Sequence, residues 1–364
     1  MALDGPDRAA DAATMPSLAP DEFAPSTTYL NTASFGLPSA RALAAVRDAS
    51  ASWASGRGAP TSEVDRLAPD LRAGFARLLA GATADDIALG SGVAGLIGPV
   101  ATALPSGAEV LLPEGEFASV SMPFVYRDDL VVRFVPLPEL AAQVRPETAL
   151  VAVSVVQSAD GRVTDLAELR AVTRANGARL LVDATQAAGW LPLRFADADY
   201  WVCATFKWLI GARSVAFLAT PPELVPQLRP VGSSWYAAED RWAELYRPIA
   251  LPATARRFDT TPDWLGVEAA LAGLSLIEEL TVDKIGAHDL ELADSFRAGL
   301  RELGYEPVAA RSPIVSVPGA AELAPRLAQA EVIASARGSG LRFAFHLYNS
   351  ADDVERALSA LRAG

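Results

Sequence analysis

Two short apolar runs, each followed by a charged residue, constrain the fold of this chain more than any other feature. The first run, Leu180-Leu181-Val182, stops at Asp183, and the second, Tyr200 to Ala204, leads to Lys207. Runs of this kind are typical of strands. In an open α/β sheet, ligands bind outside the carboxyl ends of the strands. We therefore expect Asp183 and Lys207 to lie together at the ligand-binding edge of such a sheet.

An acid and a lysine at that edge suit a pyridine cofactor that carries an aldehyde. Lys207 would form a Schiff base with the aldehyde, and Asp183 would pair with the protonated ring nitrogen. Pyridoxal phosphate (PLP) is such a cofactor. The pair alone leaves a second interpretation open, because any strand can end in an aspartate and a lysine after a strand is usually a solvated surface group.

Length and composition are those of a globular protein with one large and one smaller domain. The chain has 364 residues, of which 51% are hydrophobic and 21% charged. The net charge of −13 argues against a surface that binds nucleic acid or an anionic membrane. The single cysteine, Cys203, excludes an intrachain disulfide and a multi-cysteine metal site. A reducing, cytoplasmic location is therefore expected, and no metal is predicted.

Two segments were candidates for targeting or membrane insertion. Residues 1–20 carry acids where a signal peptide needs an apolar core, so they are predicted to form a mobile leader. Residues 87–108 carry no charge, but five glycines and two prolines break their apolar density. A buried loop and helix is the expected structure there.

A glycine-rich segment, Gly90-Ser91-Gly92-Val93-Ala94-Gly95, follows a strand-like run that ends at Leu89. A glycine-rich loop that opens a helix offers free backbone N–H groups and the positive end of the helix dipole to a phosphate. Loops of this kind are common, so the pattern alone does not identify a phosphate site.

Four phrases along the chain resemble the class V aminotransferase family, a branch of the fold-type I PLP-dependent enzymes. This branch includes cysteine desulfurases, kynureninases, isopenicillin N epimerase-like proteins and C–S lyases. The phrases are YLNTASFGLP at 29–38, VDATQAAG at 182–189, TFKWLIGARSVAFL at 205–218 and GLRFAFHLYNSADDV at 340–354. The resemblance implies an α/β fold with a large, mainly parallel-sheet PLP-binding domain (29–263) and a small C-terminal α+β domain (264–364). Residues 1–28 would comprise the leader and a segment of the small domain.

The resemblance also implies which residues hold the cofactor. Lys207 would bind the aldehyde, Asp183 the ring nitrogen, and Phe117 would stack on the ring, where desulfurases have a histidine. Gln157 and Gln186 would reach the phenolic oxygen. The phosphate would be held by Ser91, Gly92, Val93, Ala94 and Thr205. The segment ARRFDTTP at 255–262 also resembles a family phrase, shortened by one residue, whose threonine reaches the phosphate from the neighbouring subunit. Thr261 matches that threonine, which implies a homodimer with shared active sites.

The expected substrate is a small molecule of the amino-acid type. Arg342 would grip its α-carboxylate, because a planar guanidinium matches a carboxylate through two parallel hydrogen bonds. The resemblance places the loop from Asn31 to Phe35 near the pocket, so both residues are candidate substrate contacts. His346 and His288 are assigned structural roles.

Several positions depart from the family pattern. Val93 and Ala94 stand where the family often has threonines, and Phe206 replaces a histidine common in desulfurases. A persulfide-forming desulfurase also needs a cysteine on the loop before the arginine strand, but residues 331–339 contain none. Cys203 lies too close to Lys207 to serve, so desulfurase activity is not expected.

Three reactions remain open: β-elimination from a cysteine S-conjugate, transamination, and epimerisation at Cα. The first and last phrases resemble the desulfurase, epimerase and lyase branch, and this fold-level analogy favours a C–S β-lyase. A non-catalytic binding protein on the same fold is the alternative from another class. The presence of Lys207, Asp183 and Arg342 argues against it.

Local patterns predict the elements around the sheet. Apolar residues at helical spacing predict a helix over 63–80 that Gly81 terminates, and Ser39 and Asp165 are predicted to cap helices. Residues 221–264, rich in proline, tryptophan and arginine, are predicted to form long loops over the active site.

Overall fold

The computed structural model describes residues 15–57, 60–242 and 245–362, without the side chains of 60–64. The described part contains fourteen strands and nine α-helices. The strands are β1 (Thr28–Tyr29), β2 (Leu79–Ala80), β3 (Ile87–Gly90), β4 (Glu109–Pro113), β5 (Val131–Val135), β6 (Thr148–Ser154), β7 (Arg179–Asp183), β8 (Leu193–Arg194), β9 (Tyr200–Ala204), β10 (Ala216–Ala219), β11 (Ile314–Val317), β12 (Val332–Ile333), β13 (Ser335–Arg337) and β14 (Gly340–Ala344). The helices are α1 (Ala40–Ala54), α2 (Pro60–Leu78), α3 (Val93–Ala103), α4 (Ala118–Val125), α5 (Leu166–Asn176), α6 (Trp264–Leu280), α7 (Val282–Glu302), α8 (Ala324–Gln329) and α9 (Ala351–Arg362).

A seven-stranded sheet forms the centre of the large part of the chain. Its strand order is β3-β10-β9-β7-β6-β4-β5. Strand β10 is antiparallel to β3 and β9, and all other neighbouring pairs are parallel. The mainly parallel α/β fold expected from the sequence is therefore confirmed.

The apolar runs form the inner strands because both faces of the sheet are covered. Val182 and Trp201 pack into the core on one face, whereas Leu181 and Val202 pack into the core on the other. Successive side chains of a strand point to opposite faces, so a strand buried on both faces needs apolar residues at every position. The first polar residue, such as Asp183 at the end of β7, marks where the chain leaves the sheet.

The predicted helix caps are confirmed. The Ser39 side chain accepts a hydrogen bond from the Ala42 N–H at the start of α1, and the Asp165 side chain accepts one from the Glu168 N–H at the start of α5. The helix predicted over 63–80 instead spans Pro60–Leu78. It ends before Gly81 because residues 79–80 pair with β8 as a short parallel strand.

The C-terminal part forms a smaller α+β unit. Its three-stranded antiparallel sheet, in the order β11-β14-β13, packs on α7 and α9 through residues such as Phe296, Phe343 and Leu358. The domain boundary at 263/264 stays a prediction. Helix α6, on the C-terminal side of that boundary, buries Val267 and Leu274 in the core of the large sheet.

Part of the predicted mobile leader is packed against the C-terminal unit. The Leu18 N–H donates to the Leu347 carbonyl at 2.8 Å, and the Ala351 N–H donates to the Met15 carbonyl at 2.9 Å. Residues 1–14 lie outside the described residues. Among the described helices, none combines the length and apolar character needed to cross a membrane. Within the same residues, no group of three or more His, Cys, Asp or Glu side chains is arranged to hold a metal ion.

Candidate active site

Side chains from five strand ends meet at the carboxyl edge of the central sheet. Strand β3 leads to Ser91, β4 leads to Phe117, β6 ends at Ser154, β7 ends at Asp183, and β9 leads to Lys207. All five line one cavity of about 230 Å³. This is the edge at which parallel α/β sheets bind ligands, and it brings the acid and the lysine together as expected from the sequence.

Lys207 is an almost fully buried amine, with 5% of its surface exposed. Its Nζ lies 5.2 Å from the ring centroid of Phe117 and 5.6 Å from that of Phe206. Burial lowers the pKa of Lys207 to about 8, and the negative charge of Asp183 acts in the opposite direction. The amine is therefore neutral at a much lower pH than an exposed lysine, which suits it to attack an aldehyde.

The backbone of the lysine loop packs closely against two glycines. A Cβ atom on Gly36 would lie 2.1 Å from the Lys207 carbonyl oxygen, and one on Gly273 would lie 2.4 Å from the Leu209 carbonyl oxygen. Only glycine permits so close an approach. The Gly36 N–H also donates to the Phe206 carbonyl at 2.8 Å. The loop that carries Lys207 is thus fixed against α6 and the segment after β1.

Thr205 braces the lysine loop from within and does not line the cavity. Its hydroxyl donates to the Ala212 carbonyl at 2.6 Å and lies 3.1 Å from the Val215 carbonyl. The single hydroxyl proton is used inside the loop, so the structure does not bring Thr205 to the cavity as a phosphate donor. Arg213 lines the cavity instead, with its guanidinium 5.6 Å from the ring centroid of Phe206.

Asp183 is a buried carboxylate at the end of β7. Burial raises its pKa to about 6, while hydrogen bonds from Thr185 and the charge of Lys207 act in the opposite direction. One carboxylate oxygen, Oδ1, accepts the Thr185 N–H at 2.7 Å. A buried carboxylate gains most from a cationic hydrogen-bond donor, and the protonated nitrogen of a pyridine ring is such a donor.

The glycine-rich loop opens helix α3 as the sequence predicted. Gly92 is the N-cap residue, and Val93 is the first residue of the helix. Both line the cavity together with Ser91, whereas Ala94 does not. The backbone N–H groups of the first helical turn have no partners within a helix, so this end of the cavity suits an anion such as phosphate.

A buried ion pair holds the strand that precedes this loop. Arg72 and Asp259 lie 2.6 Å apart with almost no exposed surface. Arg72 donates to the Ile87 carbonyl at 2.7 Å, and Asp259 accepts the Leu89 N–H at 2.8 Å. The pair therefore fixes the backbone of β3, and through it the position of the glycine-rich loop.

Phe117 lies at the cavity with its ring beside Lys207, as expected of a residue that stacks on a cofactor ring. Glu116 holds this segment, because its carboxylate accepts the Phe117 N–H at 2.7 Å and the Ser154 hydroxyl at 2.6 Å. The same carboxylate accepts a hydrogen bond from the Gln157 amide at 3.2 Å. Gln157 is thereby held outside the cavity lining, and Ser154 lines the cavity in its place.

Gln186 lines the cavity, and the protein already uses its polar atoms. Its Oε1 accepts the Trp208 indole N–H at 2.7 Å, and its Nε2 donates to the Ala33 carbonyl at 2.9 Å and the Ser158 hydroxyl at 3.0 Å. A contact with the phenolic oxygen would require exchange of one of these bonds. That contact stays a prediction.

Arg342, on β14, is buried directly behind Ser158, which lines the cavity. It donates to the carbonyl and hydroxyl oxygens of Ser158 and to the Ser34 hydroxyl at 2.7 Å. Within the described residues, its Nε has no hydrogen-bond partner. Burial, with a smaller effect from the charge of Arg337, lowers the pKa of Arg342 to about 9. A buried guanidinium held by neutral oxygens remains available to an anion.

The other predicted contacts are not part of the cavity lining. Asn31 accepts a hydrogen bond from the Ser335 hydroxyl at 2.6 Å, and the Phe35 ring lies 5.4 Å from that of Phe206. Thr261 is exposed, so its contact with a neighbouring subunit's phosphate stays a prediction. None of the described residues between 221 and 264 lines the cavity. The prediction that these loops lie over the active site stays a prediction.

Seven residues of the cavity lining were not predicted. Ser154 is the last residue of β6, and Thr185 lies two residues after the end of β7. Of the other five, Ala204 ends β9, Ser119 lies in the first turn of α4, and the remaining three lie in loops. The seven residues are Ser119, Ser154, Ser158, Thr185, Ala204, Phe206 and Arg213.

A family model described as aminotransferase class-V matches residues 47–357, most of the chain. The chain belongs to the class V aminotransferase family. As a member it is a PLP-dependent enzyme. The cavity fits that cofactor, because it joins a buried lysine, a buried carboxylate, an aromatic ring and a helix N-terminus.

Class V members of several activities resemble the chain. It is 30% identical over 309 residues to the uncharacterized aminotransferase YcbU of Bacillus subtilis (strain 168), covering 79% of this chain and 81% of the relative. It is 28% identical over 353 residues to isopenicillin N epimerase of Streptomyces clavuligerus, covering 83% of this chain and 85% of the relative. The structure of the cystine C–S lyase C-DES with its product cysteine persulfide superposes with a TM-score of 0.85 at 22% identity, covering 93% of this chain and 98% of the other. At that identity the likeness concerns the fold alone.

Proposed function

We propose that this class V enzyme is a C–S β-lyase that converts a cysteine S-conjugate into a thiol, pyruvate and ammonia. The observation that carries the proposal is the distribution of proton-carrying side chains around the cavity. Lys207 is the single amine or imidazole among the described lining residues, and the ring expected to stack on the cofactor belongs to Phe117, which has no proton to give. One lysine is enough to take the Cα proton in an elimination, whereas an epimerisation with a separate acid on each face of Cα needs a second proton donor.

The roles of the chain's own residues follow from their placement. Bound PLP supplies an electron sink for the bonds at Cα. Lys207, with its pKa lowered to about 8, takes the proton from Cα. The Cβ–S bond then breaks, and the sulfur leaves with the electron pair as a thiolate that a proton converts to the thiol. Water hydrolyses the remaining three-carbon unit to pyruvate and ammonia.

The substrate's α-carboxylate is assigned to Arg342. Its guanidinium lies behind Ser158, and its other nitrogens donate to neutral oxygens of Ser158 and Ser34. Its Nε has no hydrogen-bond partner among the described residues. Arg213 lines the cavity with its charge over an aromatic ring. A cation there would stabilise the negative charge of a departing thiolate.

Desulfurase chemistry through a persulfide receives no support. Cys203 is fully buried within β9, and burial raises the pKa of its thiol well above the usual value. A thiol in this state is neither accessible nor ionised. The lone buried thiol also fits the reducing, cytoplasmic location that forms part of the proposal.

Transamination is the second candidate, because YcbU, at 30% identity, is named as an aminotransferase. Epimerisation is favoured by the 28% identity to isopenicillin N epimerase. Epimerisation with a separate acid on each face of Cα would require a second proton donor where Phe117 lies. A single base that serves both faces would remove this difficulty, so the products must decide.

The first test is a product assay on the holoenzyme with S-alkyl cysteine conjugates. We expect equal amounts of pyruvate and thiol without any added keto acid. Turnover that depends on a keto acid would identify a transaminase, and inversion of the substrate without pyruvate would identify an epimerase. The chain contains only two lysines, Lys207 and Lys284. Lys207→Ala should abolish covalent PLP attachment after borohydride reduction, whereas the exposed Lys284→Ala should not.

The proposal includes a homodimer with shared active sites. Phe117 and Phe35 are large apolar side chains exposed near the mouth of the cavity, and Thr261 is also exposed. A second subunit placed over this mouth would cover both rings and bring its own Thr261 near the phosphate end.

A further inference from the structure

Two arginines converge on one serine hydroxyl beside the cavity. Arg342 donates to Ser34 Oγ at 2.7 Å, and Arg337, on the neighbouring strand β13, donates to the same oxygen at 2.9 Å. The other partners of the two guanidinium groups are oxygens of Ser158 and the carbonyl of Ala336. Every one of these partners is uncharged.

This arrangement lacks a counter-charge. Other arginines with little exposed surface face carboxylates, such as Arg72 with Asp259 and Arg170 with Asp199. Within the described residues, no ion pair joins a carboxylate to Arg337 or Arg342. Two adjacent cations repel each other, and the charge of Arg337 contributes to the lowered pKa of Arg342. A separate anion bound by each of them would offset that repulsion.

The two arginines differ in depth. Arg342 is buried and contacts Ser158, which lines the cavity. Arg337 is exposed and is separated from Arg342 by Ser34. From Lys207 outward, the order is therefore the cavity wall at Ser158, then Arg342, then Arg337. The inner arginine suits the carboxylate next to the reacting carbon, and the outer one suits a group farther along the substrate.

We infer that the substrate carries a second anionic group, a carboxylate at the far end of its side chain, and that Arg337 binds it. The inference rests on the proposed function, since it extends the assignment of the α-carboxylate to Arg342. Arg337 is then a specificity-determining residue. It selects S-conjugates with an acidic leaving group over uncharged ones, and it takes no part in proton transfer.

The test compares two substrates that differ only in charge at the far end: S-(2-carboxyethyl)-L-cysteine and its side-chain amide. Their affinities for the PLP-loaded enzyme are measured from the change in its visible absorption, and their kcat/KM values from product formation. A charge-assisted hydrogen bond is worth roughly a tenfold or greater preference for the acid. Arg337→Gln should reduce this preference to about twofold or less, by weakening the binding of the acid more than that of the amide.

Arg356 is an exposed arginine of α9, so Arg356→Gln is the matched control. This variant should keep the full preference for the acid over the amide. Equal binding of acid and amide by the unaltered enzyme would overturn the inference. An equal loss of affinity for both substrates in Arg337→Gln would also overturn it, because both arginines would then hold the α-carboxylate. The absorption titration does not depend on the reaction class. Preferential binding of the acid without pyruvate formation would therefore refute the lyase proposal and support the charge preference.

Discussion

At the scale of single residues, Asp183 carries its negative charge at a place where the fold disfavours it. Burial raises its pKa from 3.8 to about 6. When the folded pKa lies above the unfolded value, the residue's contribution to stability is fully present below about pH 4 and is lost as the pH rises through about 6. In the cofactor-free protein, ionised Asp183 therefore lowers stability at neutral pH.

Asp183→Asn should stabilise the cofactor-free protein at pH 8 by up to about 3 kcal/mol, which corresponds to the pKa change. An asparagine can still accept the Thr185 N–H. The pKa change already includes the favourable interaction with Lys207, so the value is the net cost of the ionised carboxylate. Urea unfolding at pH 8 and pH 4 measures the effect, which should vanish at pH 4.

The exposed capping residue offers a control, since Asp165→Asn should change stability little at either pH. A gain for Asp183→Asn of equal size at both pH values would mean that charge burial is not its cause. The variant should also lose activity, because it removes the carboxylate that we propose as the partner of the PLP ring nitrogen.

At the scale of elements, a buried pair ties helix α7 and the segment after β14 to the lysine loop. His346 Nε2 lies 3.0 Å from the Trp208 carbonyl, and Nδ1 lies 2.8 Å from the Asp289 carboxylate. The carbonyl can only accept, so Nε2 carries a proton, and a second proton lies between Nδ1 and Asp289. The structural role assigned to His346 from the sequence agrees with these contacts.

Asp289→Leu should destabilise the protein by about 1–3 kcal/mol more than Asp289→Asn. An asparagine amide can donate to Nδ1 while Nε2 keeps its bond to Trp208, whereas leucine leaves Nδ1 buried without a partner. Urea unfolding gives the two stabilities. The rate at which PLP attaches to Lys207 should also fall in the leucine variant, since its loop loses an anchor. Similar stabilities of the two variants would contradict this account.

At the scale of the whole molecule, the proposed dimer can be tested through Thr261. Thr261→Ala should weaken PLP binding about tenfold, the loss expected for one hydrogen bond to a charged group. Lys207→Ala subunits keep an intact Thr261. In mixed dimers, they should therefore restore tight PLP binding at the Lys207 of the Thr261→Ala partner. The measurement is PLP titration of co-refolded mixtures.

Thr260→Ala, the neighbouring position, should leave PLP affinity unchanged and serves as the control. If the mixtures bound PLP no better than Thr261→Ala alone, Thr261 would act within its own chain or not at all.

Individual residues indicate how far the sequence could predict the site. Asp183, Lys207, Phe117 and the loop at 91–93 follow strands, and the strands were readable from uninterrupted apolar runs. Thr205 and Gln157 also lie near strand ends, yet hydrogen bonds within the lysine loop and to Glu116 keep them out of the cavity lining. Nothing in the local sequence specifies those bonds.

The sequence by itself determined the fold class and the family, and it predicted the lysine and its acid. These depend on local patterns, because a strand buried on both faces must be apolar throughout and ends where polarity begins. Only the tertiary structure decided which side chains line the cavity and that Arg337 and Arg342 share Ser34. Ser34 lies 303 residues before Arg337 and 308 before Arg342, so their contact depends on how the segment after β1 packs against β13 and β14.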